Sequence, residues 1–470
     1  MIQMGLSTAA KLLGCPPIQT DLAFTGITTD SRQVVPGMLF AALPGKTFDG
    51  HDYISQAAEH GAVAVLVERK VESEVPTLRV DDVLAALGSL ATYWQRQCPA
   101  KVVAITGSNG KTTVKEMIAS VLRRCGAVLA TDGNYNNELG LPLTLFRLKP
   151  SDDYAVLEMG ASNPGDIAYL ASIAKPDVAV ITNIGPAHLQ GFVDEEGVAR
   201  AKGELYASLP ENGTAVMNAA EPWLDLWQGI NTAGNVSFFD GSGINDIRIS
   251  QTVDGPGDNS GKGVDIDTPA GSFSLRLPLP GEHNLSNAMA AIAACLALEV
   301  PITDIKAGLE AVKPVPGRLS LVNADSGWTV IDDTYNANPA SLYAALQVLA
   351  RQNGEPWLVL GDMKELGSDS RKMHAELGDA ARTLGVKRLF ALGEASTATV
   401  DAFGEMAVHF DSRDGLINAL RAQLKPGVAC LVKGSRSMGM EHVVRAISNG
   451  PHAYEKRASG HELDKLEANG

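Results

Sequence analysis

The stretch KVVAIT-GSNG-KTTVKEMIASVL, residues 101–122, limits the possible folds more than any other part of the chain. The first run is β-branched and apolar, so it buries as a strand, and the apolar residues of the last recur at helical spacing. Four residues between them allow only a tight turn, which Gly107 and Gly110 can make without a side-chain clash. The turn's N–H groups then face inward beside a helix N-terminus, a cradle for an anion such as phosphate. Lys111 follows as a cation for outer phosphates, and Thr112 offers a hydroxyl to Mg²⁺. A chance Gly-Lys turn is the competing reading, and the strand before and helix after disfavour it. The spacing is GxxGK[ST], shorter than the common GxxxxGK[ST], with Thr113 next.

The same alternation of short apolar runs and helices continues along the 470 residues, too many for a single core. Residues 1–98 read as a small α/β unit, with GMLFAAL and AVAVLVE as strands and a helix ending before Pro99. Residues 99–316 read as a P-loop ATPase-like parallel sheet wound with helices on both faces, with YAVLEMG and DVAVITNI as further strands. TVDGPGDNSGKG reads as an exposed turn, FSLRLPL as a strand, and KPVPGR as an exit linker. Residues 317–452 repeat the pattern as a second, smaller, Rossmann-like doubly wound sheet. The polar stretch 453–470 lacks an apolar face and reads as disordered or added in cloning.

Composition excludes several classes. A formal net charge of -15 disfavours a nucleic-acid or anionic-membrane surface, although a few local cations still suffice for a small anion. Five scattered cysteines without a CxxC pair disfavour zinc or a disulfide framework. The start MIQMGLSTAAKLLG has no signal-peptide pattern, and the most apolar helical run, 288–300, is too short to span a bilayer. A cytoplasmic protein without stable membrane insertion is expected.

Three further positions extend the phosphate site. Glu158 ends the strand of YAVLEMG, at the sheet edge where open α/β folds bind ligands, and its carboxylate suits Mg²⁺. A turn cap is its bland alternative. His188 follows the strand of DVAVITNI in the same relation to the edge, where a lone histidine is more often structural. Lys202, in ARAKGELY, reads as a solvated helix lysine, because a free ammonium would be repelled by a metal. Asp332 and Asp333 suit a ribose or a metal, or else cap the next helix.

In order along nearly the whole chain, TGSNGKTT, LEMGAS, NIGPAHLQGF, AKGELY, GEHNLSNAMAA, PGRL and DDTYNANPAS resemble the Mur ligases of peptidoglycan precursor synthesis. The resemblance implies a three-domain, ATP-dependent amide ligase. DDTYNANPAS, GNYNNELGLP and GDMKELG are most similar to the member that joins D-alanyl-D-alanine to UDP-N-acetylmuramoyl-tripeptide, and no DNPR-type motif of the diamino-acid-adding member is present. Gly107, Ser108, Asn109, Gly110, Lys111, Thr112 and Thr113 would then bind the ATP phosphates. Thr112 with Glu158 would hold one Mg²⁺ and His188 would help hold a second. In several relatives the lysine matching Lys202 is carbamylated, which makes it a carboxylate-like metal ligand. Asn284 and Asn287 would border the adenine, with Arg318, Asp333, Tyr335 and Asn338 reaching phosphates and ribose from the last domain. Ser31, Arg32 and Lys46 would meet uridine, and Asn134, Asn136 and Asn137 the diphosphate or muramoyl part. Lys433, Ser435 and Arg436 would meet the peptide or the incoming dipeptide, surface charge being the alternative for Lys433 and Arg436. A monomer is expected.

Other readings stay open. Another amino-acid-adding Mur ligase would differ only in the residue it adds. Folylpolyglutamate synthase shares the ligase scaffold but lacks the uridine-type N-terminal domain. A nucleotide-gated binding protein without ligation is disfavoured by the metal-site residues that follow successive strands.

Overall fold

A computed structural model describes residues 1–18, 22–45, 48–185, 192, 194–243, 246–253, 263–324 and 327–448. Lys46, His188, most of the Gly- and Asp-rich stretch and the tail 453–470 lie outside the described residues.

The N-terminal unit has a parallel four-stranded sheet, in the order Ile27–Thr28, Leu39–Ala41, Ala64–Val67 and Thr77–Arg79. The helix Val83–Gln95 closes it, starting where Asp82 accepts the N–H of Ala85 at 2.9 Å. This helix turns Val83, Leu87, Leu90 and Trp94 inward, and their cluster continues into the central domain. The Trp94 indole donates to the carbonyl of Leu148 at 2.9 Å, pinning the two units together.

The central sheet has six parallel strands: β1 (Lys101–Thr106), β2 (Val128–Ala130), β3 (Tyr154–Glu158), β4 (Val178–Ile181), β5 (Thr214–Asn218) and β6 (Asn235–Phe239). Their spatial order is β6-β5-β4-β1-β3-β2. Sequence reading identified β1, β3 and β4. It missed β2, β5 and β6, of which β2 is only three residues long and β6 has two exposed positions. From β1 the chain winds first to one side of the sheet and later to the other, so the loops after β1, β3 and β4 converge on one crevice. Helix α1 (Lys111–Leu122) leaves the first of these loops, and α2 (Glu195–Ala207) follows β4. Helix α3 (Glu282–Ala297) packs on α1, with Ala290, Ala291, Ala293 and Ala294 buried and small enough for close approach. The first four residues of FSLRLPL fall in the third strand, Gly271–Arg276, of a separate antiparallel sheet.

The C-terminal sheet contains β7 (Ser320–Asn323), β8 (Thr329–Asp333), β9 (Glu355–Gly361), β10 (Arg388–Leu392), β11 (Ala407–Phe410) and β12 (Val428–Lys433). Their order is β7-β8-β12-β9-β10-β11, with β7 antiparallel to β8 and every other pairing parallel. The expectation of a smaller sheet is corrected: it has six strands, as the central sheet does. The additional strands are edge pieces of four residues, too short to carry a periodic pattern. The following helix α4 (Pro339–Ala350) is capped by Asn338 in a reciprocal box with Ser341, so neither Asp332 nor Asp333 is its cap. Among the described residues no helix is long and apolar enough to cross a membrane. The five cysteines are unpaired, with Cys98, Cys295 and Cys430 buried.

Candidate active site

The C-terminal strand edges of the two large sheets border one cleft of about 1110 Å³. On the central side the loop after β1 is held open and rigid. Gly107 has φ 148° and Gly110 φ 82°, and a Cβ on either would collide, with the Thr182 hydroxyl and the Asn287 amide respectively. The loop is tied to the end of β4 residue by residue. Asn183 accepts the N–H of Asn109 at 3.0 Å, Thr182 Oγ1 donates to the Asn109 carbonyl at 2.6 Å, and Ser108 Oγ donates to the Gly185 carbonyl at 3.1 Å. With Gly110 as its N-cap, α1 directs its first free N–H groups at the cleft. Asn183 was not singled out in the sequence, although it follows a buried strand at the same edge as Glu158.

Glu158 is 2% exposed, and both its carboxylate oxygens are engaged. Thr112 Oγ1 donates to Oε2 at 2.8 Å and Asn136 Nδ2 donates to Oε1 at 2.8 Å. Asn134 and Asn137 line the cleft beside Asn136, and Asn137 Oδ1 also accepts the N–H of Gly140 at 2.9 Å. Lys111 Nζ donates to the Gly107 carbonyl at 2.8 Å; burial pushes its ammonium down, Glu158 opposes this and Arg318 adds to it. Lys202 lies on α2 at 2% exposure, which corrects the solvated-lysine reading: the helix turns this residue toward the sheet edge. Burial holds its ammonium well below the usual lysine range, and the Lys111 charge lowers it further. No carboxylate pairs with it among the described residues.

The C-terminal domain closes over this arrangement. Arg318 Nη2 donates to Thr112 Oγ1 at 2.9 Å and stacks over Tyr335, 4.2 Å from the ring centroid. Asn338 Nδ2 donates to Asn109 Oδ1 at 2.8 Å, joining helix cap to phosphate loop. Thr113 and Asn284 line the same cleft, and Asn284 Oδ1 accepts from Asn287 at 3.1 Å. His283 lines it too, its imidazole pushed down by burial; it sits within GEHNLSN, where only the asparagines were singled out.

Lys433 is not surface charge. It is 2% exposed, pairs with Asp333 at 2.5 Å, and donates to the Asn336 carbonyl at 2.9 Å. Asp332 turns inward to Thr334, and burial raises its carboxyl. Arg436 is more than half exposed and reaches Glu441 at 3.4 Å. Ser435 Oγ accepts the N–H of Lys364 at 2.8 Å, which brings the unanticipated Lys364 to the cleft. Ser31 and Arg32 stay in the N-terminal unit, bonded to Gln56 at 2.6 Å and to Asp30 at 2.9 Å, and do not line this cleft.

Three domain matches cover most of the chain: the Mur ligase family catalytic domain over residues 23–95, the Mur ligase middle domain over 105–295, and the Mur ligase glutamate ligase domain over 317–436. The chain belongs to the Mur ligase family. As a Mur ligase it is 43% identical to the UDP-N-acetylmuramoyl-tripeptide--D-alanyl-D-alanine ligase of Escherichia coli, across 95% of this chain and 99% of that protein. The enzyme of the same name from Bacillus subtilis is 36% identical, across 91% and 93%. Among solved structures, MurF from Acinetobacter baumannii superposes with a TM-score of 0.88 at 35% identity, across 96% and 100%. MurF from Thermotoga maritima, solved in complex with ADP, superposes with 0.81 at 31% identity, across 94% and 100%. A folylpolyglutamate synthase from Mycobacterium tuberculosis, at 19% identity and a TM-score of 0.61, shares the fold alone.

Proposed function

We propose that this Mur ligase uses ATP to join D-alanyl-D-alanine to UDP-N-acetylmuramoyl-tripeptide, a step of peptidoglycan precursor synthesis. The supporting observation is one cleft in which a phosphate loop, a buried carboxylate, Lys111 and Lys202 face a second sheet edge. Lys111 and Arg318 gather at the Thr112–Glu158 pair, so the loop presents positive charge suited to a triphosphate and a carboxylate substrate.

The donors also fit Mg²⁺. Thr112 and Glu158 present hard oxygens at the loop, and among the described residues no cluster of three His, Cys, Asp or Glu exists. An ion held there would take its remaining oxygens from phosphates and water, as Mg²⁺ prefers. When bound, Mg²⁺ supplies positive charge to phosphate oxygens during transfer. Burial of Lys202 favours its uncharged amine, the form that carbamylation requires, and the product would carry negative charge beside the metal. His188 is the proposed contributor to a second ion.

In this reading the tripeptide carboxylate attacks the γ-phosphorus of ATP, and ADP leaves an acyl phosphate. The dipeptide amine then attacks the acyl carbon, and phosphate departs through a tetrahedral intermediate. The loop N–H groups and Lys111 hold the outer phosphates in place while charge moves onto their oxygens. Arg318 and Asn338 carry the closing domain to the nucleotide, Tyr335 braces Arg318, and Asp333, paired with Lys433, faces the ribose. Asn284 and Asn287 border the adenine, and Asn134, Asn136 and Asn137 take the diphosphate or muramoyl part. Ser31, Arg32 and Lys46 take the uridine, and Ser435 and Arg436 the peptide end. The work belongs in the cytoplasm, where ATP and a UDP-linked precursor meet, and needs one copy of the chain.

ADP release measured with UDP-N-acetylmuramoyl-tripeptide tests this directly. D-Alanyl-D-alanine should stimulate it far more than D-glutamate, a diamino acid or L-glutamate. Equal release with any of the other three, or with no amine at all, would overturn the reading.

A further inference from the structure

Lys115 lies one turn beyond Lys111 on α1 and takes no part in the reaction above. It is 2% exposed, and its helix neighbours Val114, Met117, Ile118 and Ala119 are buried and apolar. Leucine or methionine would pack there without the cost of dehydrating an ammonium. Instead, Lys115 Nζ donates to the carbonyl of Thr131 at 2.5 Å and pairs with Glu116 at 2.9 Å. The buried Thr131 passes the link on, because its Oγ1 accepts the backbone N–H of Glu158 at 3.0 Å. The loop that leaves Thr131 carries Asn134, Asn136 and Asn137 into the cleft, and the Asn136 amide returns to Glu158.

We infer that Lys115 is a positioning residue that couples the metal-facing carboxylate to the precursor-facing loop. Through one threonine it fixes the backbone from which Glu158 projects and the point where the asparagine loop begins. An ammonium suits the task because it can tether a strand-end carbonyl and still reach a balancing carboxylate. The inference rests on the roles proposed above for Glu158 and the asparagines.

Lys115→Met, Lys115→Arg and Thr131→Val test it in the full-length protein. Calorimetry measures Mg²⁺ binding to the ADP-saturated protein, and kinetics measures KM for the tripeptide precursor and for D-alanyl-D-alanine. Lys115→Met should bind Mg²⁺ roughly tenfold more weakly, the usual scale for a lost outer-sphere partner. The precursor KM should rise with it and the dipeptide KM should not. Lys115→Arg should recover most of both losses. Thr131→Val should reproduce the Mg²⁺ loss with a smaller change in precursor KM, since the carbonyl that Lys115 grips remains. A lysine that only stabilises the fold would lower the thermal midpoint and leave Mg²⁺ affinity and precursor KM unchanged, which overturns the inference. Should Lys115→Met not fold, wild-type Mg²⁺ affinity in Thr131→Val overturns it equally. A wild-type protein that releases no ADP with the D-alanyl-D-alanine pair refutes the proposed reaction instead.

Discussion

The two sheet edges that face each other across the cleft handle charge in opposite ways. On the central edge Lys111 and Arg318, the latter from the other domain, gather near one carboxylate, Glu158, while Lys202 is buried with no carboxylate beside it among the described residues. On the C-terminal edge two buried carboxylates are already paired: Asp333 with Lys433 at 2.5 Å, and Asp362 with the half-exposed Lys364 at 3.0 Å. An unmatched cation close to others is costly in the empty protein and useful only with a ligand. A matched pair serves to hold backbone in place. The contrast assigns phosphate chemistry to the central edge and orientation to the other.

Lys111→Ala should be the most damaging change, lowering ADP formation at least a hundredfold, the scale of losing one preorganised electrostatic contact. Uridine-nucleotide binding should survive, as equilibrium binding of the precursor would register; normal turnover would remove the loop from the mechanism. Lys202→Ala comes next, with a loss on the order of a hundredfold if the residue supplies a metal ligand. Short carboxylic acids should restore part of the activity, and full activity without them would reject carbamylation.

On the matched edge the effect should fall on stability. Lys433→Met leaves Asp333 buried without its cation and should cost about 3 kcal/mol in denaturant unfolding. Adding Asp333→Asn should return most of that loss, and if it does not, the pair is not the unit described. The smallest effect concerns His374, buried where Nε2 accepts the N–H of Met363 at 3.1 Å and Nδ1 donates to the Ser370 carbonyl at 2.7 Å. Burial lowers its pKa, with Asp362 opposing and Lys364 adding, so the folded protein binds its proton less readily than the unfolded chain. Its contribution is complete above the ordinary value of about 6.5 and is lost as pH falls from there through the lower folded value. His374→Asn should flatten this acid-side decline in unfolding free energy, and an unchanged slope would show that the imidazole is not its source.

Much of the site was legible because it lies in continuous strings. The glycines, Lys111 and Thr112 belong to one turn, and Glu158 ends a strand whose direction its apolar run reveals. The burial of Lys202 and of Lys433 was not legible for a shared reason: each is a lysine in a string with no local partner, and elements far away in sequence cover it. Lys433 meets Asp333 across 100 positions, and Arg318 meets Thr112 across 206. The role of Lys115 was hidden in the same way, because the carbonyl it grips, that of Thr131, follows a three-residue strand without periodicity.

The sequence by itself determined the strand–turn–helix that cradles phosphate, the two doubly wound units and the family to which they belong. Local backbone preferences and apolar periodicity act over a few residues and can be read in order. Tertiary structure alone decided which charges are matched and which are left for a ligand. That depends on distances across the cleft and on dehydration by distant side chains, neither of which any short stretch of chain contains.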